Sequence, residues 1–321
     1  MIEIFDGATG TMLQAAGLLP GECPELVNVE RPEMIETIHR AYIEAGSSII
    51  TTNTFGATSL KLAHYGLENR VAEINAAAVK AAKRAAHGRA KVAGDLGPTG
   101  RFIEPLGDLG FETAYDAYAE QAKALADAGA DYIIIETSID LQEMRAALLA
   151  AKSVTTLPVI CQMSYSEDGR TVTGTDPETA ATVLDAMGAD VIGVNCSLGP
   201  EQLLPIVENL TKATEKPISV QPNAGLPQFV DGKTIFPMTP EDFSHWMPKL
   251  IAAGATYIGG CCGTTPAHIR AISKFAKTAP TPKRPKVPRI LRLTSRTRTV
   301  VVDKSLPTVL RSEVHTSELQ S

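Results

Sequence analysis

Cys261 and Cys262 stand side by side in YIGGCCGTTPAH (257–268), behind two glycines, after an apolar run and before a helical pattern. Neighbouring cysteines rarely bond to each other, because the eight-membered ring is strained. Metal ligation, thiol redox chemistry and coincidence remain. A third cysteine, Cys196, closes another apolar run in DVIGVNC (190–196). If these runs are next-nearest strands of a closed barrel, three thiolates meet at its mouth. Three protein ligands with an open fourth position is the catalytic zinc pattern, and soft thiolates favour zinc over magnesium or calcium. Taken singly, each cysteine is equally well a small residue filling a glycine-rich turn; the constellation carries the metal argument. Cys161, inside PVICQM, reads as core packing, and Cys23, in GECPEL, as incidental. The lack of a C-x-x-C motif weighs against a redox protein.

Two carboxylates, Asp6 and Glu136, also close apolar runs. Such a pair serves acid–base chemistry or binds an ammonium group, although each alone is as readily a solvated acid. The Asp-Gly step after the first run exposes the N–H groups of Gly7 and Ala8, which suits a carboxylate. Acids for an ammonium, amides for a carboxylate and a thiophilic metal together describe a site for a thiol amino acid. His39, His64, His87, His245 and His268 fall on helical patterns and are expected at the surface, so no histidine is expected among these groups.

The elements that must position these residues are short, β-branched runs alternating with longer helical patterns. Strands are expected at 2–5, 47–52, 90–95, 131–136, 158–163, 190–195, 217–221 and 256–260, and helices at 32–45, 58–87, 112–129, 140–155, 177–187, 199–213, 239–253 and 265–278. Several helices end in a small-residue signature, EAGSS, DAGAD, AMGAD or AAGAT, where glycine suits the left-handed cap. Continuous apolar strands read as buried on both faces of a parallel sheet. Eight such units match a (β/α)8 TIM barrel of the α/β class, whose chemistry sits at the C-terminal ends of its strands. Those ends carry Asp6, Asn53, Asp95, Glu136, Gln162, Asn195–Cys196, Gln221 with Asn223, and Cys261–Cys262, a convergence of polar groups on one mouth. A doubly wound open sheet is the alternative; DGATGT (6–11) lacks the third glycine of its phosphate loop.

Composition narrows the function classes. A net charge of −6 argues against a nucleic-acid or anionic-membrane partner, and 5% aromatics offer few stacking platforms. No run is long and apolar enough to span a bilayer, and MIEIFDGATG has no signal-peptide pattern. These features point to the cytoplasm, where five cysteines are expected as thiols or ligands rather than disulfides. Beyond the barrel, TAPTPKRPKVPRILRLTSRTRT is proline-rich, basic and aperiodic, as in a linker or strap. The final RSEVHTSELQS resembles a translated sequencing adapter, so the expected division is 1–278 barrel, 279–310 linker and 311–321 non-native tail.

DGATGT, TNTFGA (52–57), GDLGPTG (94–100), ET (136–137), GVNCSLGP (193–200), QPNAGLP (221–227) and GGCCGTTPAHI (259–269) together resemble the homocysteine-binding domain of the homocysteine S-methyltransferase family. The similarity runs in order over roughly 1–278, and QPNAGLP leans toward the N-terminal module of the cobalamin-dependent branch. The resemblance implies a (β/α)8 barrel in which Cys196, Cys261 and Cys262 hold Zn2+. It further implies that Asn223 fills the fourth position without substrate, that Asp6 and Glu136 hold the ammonium of L-homocysteine, and that Gly7 and Ala8 lie near its carboxylate. The methyl donor would be methylcobalamin on another module, giving methionine. Folate- and cobalamin-binding modules of a longer enzyme would be the partners, with residues 279–310 leading toward the folate module. The alternatives are a free-standing methyltransferase using betaine or S-methylmethionine, a zinc-binding structural barrel and a thiol redox protein.

Overall fold

The apolar runs do form strands, and their side chains alternate between two environments. In the computed structural model, residues 2–230, 233–276, 278–282, 284, 286–288 and 290–302 are described. The barrel strands are β1 (Glu3–Ile4), β2 (Ile49–Thr51), β3 (Lys91–Leu96), β4 (Tyr132–Ser138), β5 (Val159–Met163), β6 (Val191–Asn195), β7 (Ile218–Gln221) and β8 (Ala255–Ile258). They pair in parallel around one sheet, β1 against β8 and onward in turn to β2. The last seam, between β1 and β2, has no ladder. Ser48 N–H donates to the Ile4 carbonyl at 2.8 Å, and Ile4 N–H donates to Ser48 Oγ at 2.9 Å. The expected (β/α)8 architecture is therefore present, and the open-sheet alternative is excluded.

The intervening helices are α1 (Pro32–Ala45), α2 (Val71–Ala86), α3 (Phe111–Asp127), α4 (Leu141–Val154), α5 (Pro177–Ala186), α6 (Pro200–Ala213), α7 (Pro240–His245, resuming as Met247–Ala252) and α8 (Pro266–Ala276). Gly46, Gly129, Gly188 and Gly254, the glycines of the small-residue signature, all take positive φ where their helices end. Two expected helices are broken. The span 58–87 contains Ser59–Leu62 and two short 3-10 turns before α2, because Gly66 turns left-handed at φ 68°. The span 239–253 breaks at Trp246, where Pro248 lacks the N–H a continuous helix needs.

Two histidines expected at the surface are buried. His39 is 0% exposed on the inner stripe of α1 with Ile35, Ile38 and Tyr42, and His268 packs edge-on to Phe243. His64, His87 and His245 are exposed, as expected. Among the described residues no helix is long and apolar enough to cross a membrane.

The strap differs from the aperiodic segment expected. Leu291–Thr294 and Thr299–Val302 form an antiparallel hairpin lying against α5. Arg296 reaches from its turn to the buried Asp140 at 2.6 Å, and Arg284 donates to the carbonyls of Lys216 and Thr214. Residues 303–321, including the segment read as a non-native tail, lie outside the described residues.

Candidate active site

Residues two apart on a strand face the same side, and this period sorts the barrel interior into layers. Phe5, Ile49, Ala93, Ile134, Ile160 and Val191 pack together as an apolar floor. Two positions nearer the C-terminal ends stand Thr51, Asp95, Glu136 and Gln162, and one more step along β6 stands Asn195. The inward face thus changes from apolar to polar just where a TIM barrel places its chemistry. A cavity of about 300 Å3 opens there, lined by Asp6, Gly7, Ala8, Asp95, Glu136, Cys196, Cys261 and Cys262 among others. That size is at the small end of ligand pockets and suits an amino acid.

The three cysteines meet. Their sulfur atoms all lie within 4.8 Å of one another, the one such group of metal-capable side chains among the described residues. Cys196 Sγ and Cys262 Sγ are 3.7 Å apart. Local backbone produces this convergence. Cys196 and the following Ser197 both adopt φ 59°, which swings the chain at the end of β6 across to β7, where Cys196 N–H meets the Gln221 carbonyl at 3.2 Å. Cys261 N–H donates to the Pro222 carbonyl at 2.8 Å, and Ala224 N–H to the Cys262 carbonyl at 2.9 Å. Gly260 is required in front of the pair, because a Cβ there would stand 2.4 Å from Thr264 Oγ1. Gly260 thus lets Thr264 close against the cysteines, donating to the Cys261 carbonyl at 2.7 Å.

The sulfurs share charge unequally. Hydrogen bonds from Cys261 and Cys262 pull the Cys196 thiol down to about 3. The same bonds push Cys262 up to about 12 and raise Cys261. Like charges disfavour one another, so three crowded sulfurs do not all ionise without a cation. A thiophilic dication would allow all three to ionise. Asn223 hydrogen-bonds Cys196, and its buried Oδ1 has no partner among the described residues. The donor set, and this orphaned oxygen beside it, fit a zinc ion.

The carboxylates are tuned by burial. Asp6 is 1% exposed, and loss of water raises it to about 7 against the pull of its Thr51 hydrogen bonds. Its two oxygens accept Thr51 N–H at 2.8 Å and Thr51 Oγ1–H at 2.9 Å. Asp6 therefore also laces the β1–β2 seam. Desolvation, with the negative Cys196 and Asp6 nearby, raises Glu136 to about 8. Asp95, also in the wall, is raised by burial and by Glu136. Burial thus favours the uncharged form of each acid, and a cation beside them would reverse this.

Not every expected mouth residue reaches the cavity. Gln162 is fully buried beside it, donating to Ser219 Oγ and Gln221 Oε1 at 2.7 Å each. Asn53 lines the wall and ties it to Pro24 at 2.7 Å. Gly7 and Ala8 line the wall, and Ala8 N–H already donates to Thr264 Oγ1 at 3.2 Å. Cys161 is core, as expected. Cys23 is buried in a small apolar cluster and its thiol donates to Glu25 Oε2 at 3.4 Å, while Glu25 itself lines the cavity. Thr51 and Thr264 escaped the sequence reading, because nothing in their type marks them apart from their neighbours.

A homocysteine S-methyltransferase profile matches residues 3–276. The methionine synthase of Mycobacterium tuberculosis (strain ATCC 25618 / H37Rv) is 35% identical over 290 residues, covering 85% of this chain and 24% of that protein. The Mycobacterium leprae (strain TN) methionine synthase is 34% identical over 291 residues with the same coverage. The chain thus spans about a quarter of the length of these curated relatives. The crystal structure of the homocysteine methyltransferase MmuM from Escherichia coli, in its metallated form, superposes with a TM-score of 0.73 at 26% identity, covering 85% of this chain and 96% of that one.

Proposed function

Because the chain belongs to the homocysteine S-methyltransferase family, we propose that it is the zinc-dependent domain that activates L-homocysteine for methyl transfer from methylcobalamin, giving methionine in the cytoplasm. The observation that carries this reading is the meeting of Cys196, Cys261 and Cys262 on a small cavity walled by Asp6 and Glu136.

In this reading Cys196, Cys261 and Cys262 would hold the ion, and Asn223 would be a further ligand in the absence of substrate. Bound zinc supplies the Lewis acidity that turns a thiol of ordinary pKa about 8.5 into a thiolate at neutral pH. The protein's own residues do the rest. Glu136 and Asp6 take the substrate ammonium, which supplies the positive charge their burial lacks. Gly7 and Ala8 lie near its carboxylate, Ala8 sharing its N–H with Thr264. Among the described residues no histidine lines the cavity, and none is needed as a base. The sulfur–carbon bond forms as the donor–carbon bond breaks, the donor keeping that electron pair. A cobalamin-binding module of a longer enzyme would present the donor, with residues 279–310 leading toward a folate-binding module. The part-length match to methionine synthases and the QPNAGLP motif support this branch.

A second reading keeps the same site but takes betaine or S-methylmethionine as donor, favoured by the near full-length match to MmuM. The deciding assay incubates the zinc-loaded chain with homocysteine and each donor in turn and measures methionine. Turnover with methylcobalamin alone is expected. Turnover with betaine or S-methylmethionine would overturn the cobalamin assignment.

A further inference from the structure

Asn195 is fully buried at the end of β6, one residue before Cys196, and touches both halves of the site. Its Oδ1 accepts Thr137 N–H at 2.7 Å. Only the oxygen end of the amide can accept that N–H, so the orientation of the group is set. Its Nδ2 then faces three acceptors: Thr137 Oγ1 at 2.8 Å, Glu136 Oε2 at 3.2 Å and Cys261 Sγ at 3.8 Å. One amide therefore links an ammonium-reading carboxylate on β4 to a cysteine that follows β8.

The backbone around it is held in a costly form. Thr137 takes φ 60°, and Cys196 and Ser197 take φ 59°. Such left-handed non-glycine residues persist only where their surroundings over-determine them. The Thr137 N–H to Asn195 Oδ1 bond is part of that restraint, and it faces Glu136 and Cys196 inward from adjoining positions of the chain.

Resting on the proposed function, we infer that Asn195 is a positioning residue that fixes the span between the ammonium acceptor and the cysteine cage, so that the site selects homocysteine over cysteine. The two thiols differ by one methylene. A substrate short by that length cannot place its sulfur at the cage and its ammonium at Glu136 together if the span is rigid. If the span yields, the shorter thiol reaches both. Selection against one missing methylene amounts to roughly 10- to 200-fold in well-fitted sites.

The test uses the full chain loaded with cobalt(II), whose thiolate charge-transfer absorption reports both the cage and thiol binding. Homocysteine and cysteine are titrated into wild type, Asn195→Ala and Asn195→Asp, with thermal melts alongside. Asn195→Asp keeps the acceptor for Thr137 N–H but loses the donors to Glu136 and Cys261, so it reports on the clamp if the alanine variant fails to fold. The expected result is wild-type preference for homocysteine of at least tenfold, falling to a few-fold in the variants, with a shifted charge-transfer band before any thiol is added. A merely structural asparagine would lower the melting temperature and leave preference and band unchanged, which would overturn the inference. Wild-type protein that takes up cobalt but binds neither thiol would instead overturn the proposed function, and this inference with it.

Discussion

Cys196 and Cys262 lie 66 residues apart in the chain and hold their sulfur atoms 3.7 Å apart. With Cys261 they form a cage that rests on loop backbone at the barrel rim, not on the core. Each Cys→Ala substitution at 196, 261 or 262 is expected to strip most of the zinc, and the triple variant all of it, with the far-ultraviolet circular dichroism unchanged. Stoichiometric zinc in the triple variant by elemental analysis would contradict the assignment.

Asp6 and Glu136 differ in what else they hold, so their substitutions should separate. In the proposed site Glu136→Gln would remove a charge-assisted contact to the ammonium, and homocysteine binding should weaken by about 1.5–3 kcal/mol with little change in melting. Asp6→Asn should weaken binding and also lower stability, because both Asp6 oxygens accept hydrogen bonds from Thr51 across the seam. Calorimetric titration giving wild-type affinity for both variants would remove their role.

His39 makes stability depend on pH. Burial lowers it from 6.5 to about 4, and neither ring nitrogen has a partner among the described residues. The unfolded chain therefore takes up the proton first as pH falls. The stability linked to this group is complete above pH 6.5 and is lost as pH drops toward 4, on the order of 3 kcal/mol in all. His39→Leu should abolish that part of the slope and be neutral or stabilising at pH 7. Urea unfolding at pH 7 and pH 5 checks this; parallel losses in wild type and variant would contradict it.

The strap is anchored by Arg296, whose guanidinium meets the fully buried Asp140. Removing one partner of a buried pair leaves the other uncompensated. Arg296→Ala should therefore free the 291–302 hairpin and speed proteolytic cleavage there by tenfold or more, while the barrel resists. Unchanged cleavage would show that the hairpin docks without the ion pair.

The residues that ended apolar runs were legible because TIM-barrel chemistry collects at strand C-termini. Asp6, Glu136 and the three cysteines could be named from type and place alone. Thr51, Thr264 and the role of Asn195 could not. Their importance lies in strand register and in the left-handed turns after β4 and β6, which no local composition announces. His39 was readable in principle, since its spacing from Ile35, Ile38 and Tyr42 puts it on the buried stripe of α1. The strap hairpin was hidden because its two short strands lie among prolines and arginines and find their support on α5.

The cysteine cage, once loaded, is expected to make homocysteine a thiolate. The proton tests this most directly. Homocysteine added to zinc-loaded protein in weakly buffered solution at pH 7 should release close to one proton per bound substrate, because the free form is a thiol and the bound form is not. The metal-free protein should release only what Asp6 and Glu136 shed to the substrate ammonium, a baseline to be subtracted from the zinc-loaded value. No release above that baseline from the zinc-loaded protein, with binding confirmed by calorimetry, would rule out a zinc-bound thiolate.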